Sequence, residues 1–130
     1  MSVLKSWAFR CAALLVLSFN TAHAANLMAE CNGAAGEVNQ SAPQQIDQIT
    51  VLKSAVCFQD GNAVVFQYRM QLSVPGNQVN LNLIKPNMIS TWCTDPQLTP
   101  MLKLFNIQYN YTDRQGKFIG RIDISTRDCR

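Results

Sequence analysis

Four cysteines, Cys31, Cys57, Cys93 and Cys129, are spread over most of the 130-residue chain, and they constrain its fold more than any other feature. What cysteines do depends on the compartment, and residues 1–24 have the form of a secretory signal peptide. Lys5 and Arg10 supply a positive segment and Cys11–Phe19 (CAALLVLSF) an apolar run. Ala22-His23-Ala24 then offers the small-x-small pattern that signal peptidase reads. A membrane anchor needs roughly 20 apolar residues, and polar Asn20 and Thr21 end the run too early. The sequence therefore predicts cleavage after Ala24 and an exported chain, periplasmic or extracellular, with no membrane span. A lipoprotein is not expected, because Glu30 directly precedes Cys31.

A fifth cysteine, Cys11, leaves with the leader, and in an oxidising compartment the remaining four read as two disulfides, with three connectivities open. A metal site is not expected. No CxxC spacing is present, and the chain's one histidine, His23, leaves with the leader. Loss of that imidazole also removes Cys-His and Ser-His-Asp catalysis. No phosphate-cradling glycine loop is present, so no cofactor is expected. Of the eight carboxylates, Asp60 and Asp113 suit turns and Asp95 a helix cap, and no pair is forced together as glycoside hydrolysis requires. The chain reads as non-enzymatic. The rival reading, a carboxylate-based envelope hydrolase, requires convergent acids among Asp47, Asp95, Asp113 and Asp123. Composition agrees with a folded binding domain: 48 % of residues are hydrophobic and 15 % charged. Beyond residue 24, nine basic and eight acidic side chains nearly cancel, which excludes a nucleic-acid binder.

Ala25–Gln45 is small and polar and reads as a flexible N-terminal arm pinned by Cys31, leaving 46–130 as a single domain. A first hairpin joins Ile49–Phe58 to Ala63–Val74 through Asp60-Gly61. In its second strand Val64, Phe66, Tyr68, Met70, Leu72 and Val74 alternate with polar residues. The preceding strand alternates less cleanly, with Leu52, Val56 and Phe58 on one face. Leu81–Cys93 reads as a helix with a Leu81, Ile84, Met88, Trp92 stripe and Pro86 inside it. A second helix starts at Asp95-Pro96 and carries Leu98, Met101, Leu102 and Phe105. A second hairpin follows, Ile107–Thr112 turning at Asp113–Gly116 and returning with Phe118, Gly120, Ile122 and Ile124 inward.

The predicted fold is α+β, in the order ββααββ. Four antiparallel strands form a disulfide-stapled sheet with two helices packed on one face. That order favours Cys31–Cys57 and Cys93–Cys129 among the three pairings, since Cys93 ends the long helix and Cys129 follows the last strand. Candidate binding residues are Arg69, Lys117, Ile119 and Arg121 on the open sheet face, and an edge strand open to β-augmentation is a second candidate. The ordinary alternative for that face is plain solvation. Tyr68, Tyr109 and Tyr111 occupy the apolar side and read as core.

Trp92-Cys93-Thr94-Asp95-Pro96, the run from Ile107 to Asp113, Gln115-Gly116 and the closing Asp128-Cys129 form one frame. The chain resembles, over about residues 47–130, small exported Gram-negative proteins grouped as quorum-sensing-regulated virulence factors. It is also similar to a class of type II secretion pilotins, which chaperone the secretin subunit. The resemblance implies an α+β domain, a Cys93–Cys129 bond and no catalytic residues. Against the pilotins, which are lipoproteins, this chain lacks a lipidation site and adds the Cys31/Cys57 pair. The expectation is an exported accessory domain, protein-binding or virulence-associated, with a protein partner; a pilotin-like chaperone is the alternative.

Overall fold

A computed structural model describes residues 24–130, so the predicted leader lies outside the described residues except for Ala24. Among the described residues five strands and three α-helices appear in the order α1 (Ala24–Ser41), β1 (Gln44–Gln45), β2 (Thr50–Asp60), β3 (Ala63–Leu72), α2 (Leu81–Thr94), α3 (Thr99–Leu104), β4 (Asn106–Thr112) and β5 (Phe118–Ile124). The strands form one sheet in sequence order.

β3 organises the sheet. Its Val64, Phe66, Tyr68, Met70 and Leu72 are buried on one face, while Arg69 on the other is exposed. Gly61 takes φ 61°, the left-handed conformation that the turn back to β2 needs. The weak alternation of β2 has a specific cause. Leu52 pairs with Met70, but Ser54 pairs with Arg69, so a bulge at Lys53 inverts the phase. Leu52, Ala55 and Cys57 therefore share the inner face, and Val56 and Phe58 turn outward, contrary to simple alternation.

The α+β class holds, but the all-antiparallel four-stranded sheet does not. β3 and β4 run parallel, and β1 adds a fifth strand antiparallel to β2. The reason is the connection. A chain leaving the end of β3 and returning through α2 and α3 reaches the start of β4 at the opposite end of the sheet, which parallel pairing requires. The helix count also differs. Where a flexible arm is expected over 25–45, α1 forms, because Cys31, Ala34, Ala35 and Val38 repeat at i, i+3, i+4 and i+7 and are all buried. The stripe is built of small residues, which lets the helix lie close against β2 and β3.

α2 begins where Asn80 caps it, its side chain accepting the Asn82 N–H at 3.0 Å. Pro86 is accommodated inside the helix. α3 starts later than Asp95-Pro96 suggests. Asp95 accepts the Gln97 N–H in a turn, and the helix proper begins at Thr99. All three helices share one core with the inner sheet face, centred on Phe66, Trp92, Met101 and Ile107. Of the three connectivities the structure holds Cys31–Cys57, tying α1 to β2, and Cys93–Cys129, tying the end of α2 to the closing 3-10 turn.

Candidate functional site

The four sequence-predicted binding residues do not form one site. Arg69, Asn110 and Arg121 lie in one register row across β3, β4 and β5, which puts the two arginines about 10 Å apart, two strand spacings. The β4–β5 side of that face satisfies itself. The Arg121 guanidinium bonds Asp123 at 3.1 Å, Asp123 also accepts from Gln108 at 3.0 Å, and Gln108 in turn accepts from Gln67. Lys117 sits in the β4–β5 turn, outside the row, and Ile119 packs beside Gly76. Phe118, predicted inward, is 57 % exposed, because a register shift at the end of β4 sets it opposite Thr112.

The carboxylates that hydrolysis would need are occupied locally. Asp47 accepts the Ile49 N–H, Asp95 that of Gln97, and Asp113 those of Gln115 and Lys117, each at 2.9 Å. Among the described residues no group of three or more His, Cys, Asp or Glu side chains could hold a metal ion. No described helix is long and apolar enough to cross a membrane.

The helix side carries a different feature, which sequence reading missed. Along α2 the middle of the predicted stripe lifts from the sheet, while Leu81 at its start packs on the core beside Gly120. Trp92 is 2 % exposed, Met88 is half-buried and Ile84 is 37 % exposed. The gap between these first turns and the segment 46–50 is a slot of about 290 Å³. Leu52, Met70, Tyr68, Tyr109 and Tyr111 floor it, and Ile49 and Ile84 form opposite lips. Ile49 is also exposed, at 41 %, so both lips present apolar surface to water. The rim charge is Asp47. The signal lay in Ile46 and Ile49, apolar residues that no core stripe used; Ile84 was counted into the α2 stripe but stays at the surface.

The three tyrosines in the floor differ in their polar partners. Their rings form a row, with centroids 4.9 Å apart for Tyr68–Tyr109 and 6.5 Å for Tyr109–Tyr111. The Trp92 indole N–H donates to the Tyr109 hydroxyl at 2.9 Å. The Tyr111 hydroxyl donates weakly to the Met88 sulfur at 3.9 Å. The Tyr68 hydroxyl is buried and has no hydrogen-bond partner. Burial, reinforced by the Asp47 carboxylate, pushes Tyr111 up to about 12. Burial also raises Tyr109, against the opposing Trp92 bond, and holds Tyr68 well above the usual range. All three stay neutral near neutral pH, so the slot is an uncharged cleft with one anionic corner.

No protein-family model matches the sequence, and no curated protein matches it. Solved structures do match in fold. A "putative secreted protein" from Pseudomonas aeruginosa superposes with TM-score 0.69 at 13 % identity, over 81 % of this chain and 94 % of that one. The pilotin EpsS of the Vibrio vulnificus type 2 secretion system gives 0.65 at 12 % identity, over 81 % of this chain and 93 % of that one. The type II secretion system pilotin AspS from Vibrio cholerae gives 0.60 at 12 % identity, over 80 % of this chain and 93 % of that one. The resemblance carried by the cysteine frame is thus matched by a shared fold. At such identities the likeness is one of fold alone.

Proposed function

We propose that this chain is an exported accessory protein that binds a protein partner by taking an apolar segment of it into the slot beside α2. Cleavage after Ala24 delivers it to the periplasm or the medium. The observation that carries the reading is the slot itself: an uncharged cleft with exposed isoleucine lips on a scaffold clamped by two disulfides. The open sheet face is the weaker candidate, because Arg121, Asp123 and the two glutamines already bond one another.

The fold shared with two pilotins supports a second, narrower reading, a chaperone-like role for a secretion-system subunit. Cys31 counts against a lipid-anchored version of that role, since its sulfur is bonded to Cys57 and fully buried.

Site-specific photo-crosslinking tests the proposal. A photoreactive residue at Ile84 is expected to trap one protein of defined mass in the envelope fraction, and the same probe at Arg69 is expected to trap none. Adducts formed from Arg69 alone would move the site to the sheet face. Absence of any adduct from either position would discard the binding role.

A further inference from the structure

The two edges of the sheet are finished differently. β1 and the Asn39 side chain cover the outer edge of β2. β5 stands at the other end with β4 on one side of it. Among the described residues no hydrogen bond from any further element reaches the backbone of 119–124. Its outward-pointing N–H and C=O groups therefore form an open row that can pair with an added strand. The surface beside that row is accessible. A hollow of about 480 Å³ is lined by Arg121, Asp123 and Ser125 together with Lys85 of α2, and Phe118 at the turn end of the strand is exposed.

The side chains on this edge select which strand is added. Arg121 and Asp123 are about half exposed on the outer face, with Ile122 between them buried on the inner face. In an antiparallel pair, opposed residues share a face, so a second β5 must meet the first about a two-fold axis that passes through a residue. An axis through Arg121 sets arginine against arginine, and one through Asp123 sets aspartate against aspartate. An axis through Ile122 sets each Arg121 opposite the Asp123 of the other copy, twice by symmetry. Nine basic and eight acidic side chains beyond residue 24 nearly cancel, so two copies repel each other little.

We infer that this chain associates with a second copy of itself along β5, antiparallel and centred on Ile122, which joins the two sheets into one. Arg121 and Asp123 already bond within one chain at 3.1 Å, so the interface merges two such pairs into a ring of four charges. The same register carries the exposed Phe118 toward the closing turn of the other copy. Neither Arg121 nor Asp123 lines the slot, so this association is independent of partner capture there.

Charge exchange tests the axis. The purified, disulfide-bonded chain is expected to form dimers in sedimentation velocity as its concentration rises, with amide exchange slowing at 119–124. Arg121→Asp alone and Asp123→Arg alone each set like charges opposite one another, and each is expected to dimerise about tenfold more weakly. Mixed in equal amounts, the two variants recreate both opposite-charge pairs across the interface. A dimer of mixed mass is then expected in native mass spectrometry, with the affinity of the natural chain. The double exchange Arg121→Asp/Asp123→Arg also keeps both pairs and is expected to dimerise as the natural chain does.

Monomers at every soluble concentration overturn the inference. So does a dimer indifferent to both single exchanges, a mixture that associates no better than its components, or a dimer whose slowed amides line the slot. Slowing at 119–124 only after envelope extract is added gives the edge to a strand of another protein and overturns the second copy. The Ile84 crosslink is read separately, and its loss discards the slot while leaving this dimer standing.

Discussion

Tyr68, Tyr109 and Tyr111 are the chain's only tyrosines, and each holds its proton more tightly than an unfolded chain would. Their burial was legible in the sequence, since each falls on the apolar side of an alternating strand. Their unequal hydrogen bonding was not, because it depends on where Trp92 and Met88 of α2 come to rest. The shift has a definite sign. In the unfolded chain tyrosines release their protons near pH 10, whereas Tyr111 in the fold holds on until about 12 and the other two are also raised. Above pH 10 the unfolded state therefore binds fewer protons than the folded one, and stability falls as pH rises. The contribution is complete below pH 10 and is lost through pH 12. Near-ultraviolet absorbance is expected to show no independent tyrosine titration at pH 10, but ionisation coincident with cooperative loss of tertiary circular dichroism at higher pH. Three tyrosines ionising near pH 10 with the fold intact would contradict the burial argument.

At the level of elements, the outer edge of β2 shows how α1 and the sheet depend on each other. β1 covers only Val51 and Leu52 of that edge. Further along, Asn39 of α1 acts as a one-residue strand, its side-chain amide donating to the Ala55 carbonyl at 2.9 Å and accepting the Ala55 N–H at 2.7 Å. Both bonds vanish in Asn39→Ala, and about 1–3 kcal/mol of stability should go with them. Amide exchange at Ala55 should accelerate while Phe66 in the next strand stays protected, and the bared edge should promote association at high concentration. Urea unfolding and exchange mass spectrometry read the two effects, and an unchanged Ala55 rate would show that the amide is not what closes the edge. Neither partner was legible in the chain alone. The α1 stripe is written in Cys, Ala and Val interleaved with Gly33 and Gly36, so a helical period hides in a composition typical of loops. The Lys53 bulge hides the phase of β2 for a related reason, since alternation reports a face only while register is unbroken. β3 and β4, regular and strongly apolar, were legible, and α2 was legible as a helix, though not the exposure of Ile84. The parallel pairing was not, because both connectivities use the same hairpins and differ only in where the crossover returns.

The molecule as a whole is held at two points that divide its work. Cys31–Cys57 fastens α1 over β2 and β3, away from the slot, whose lining includes no α1 residue. Cys93–Cys129 fastens the C-terminal end of α2, the same helix whose first turns make one wall of the slot. The bonds span 26 and 36 residues, for which loop closure gives about 3–4 kcal/mol each. A domain of this size has roughly 5–15 kcal/mol in total, so losing either bond is serious and losing both consumes most of the margin. Cys31→Ala/Cys57→Ala and Cys93→Ala/Cys129→Ala are thus expected to lower the urea midpoint by comparable amounts while separating in function. With each variant held well below its own unfolding transition, the first pair should give the Ile84 photo-adduct in the same yield as the intact protein. The second should give it in several-fold lower yield, because α2 is then free to shift relative to the tyrosine floor. The difference follows from position alone, since loop entropy treats the two bonds nearly alike. Equal loss of binding in both pairs would mean that the slot answers to global stability, and the clamp on α2 would have no separate role.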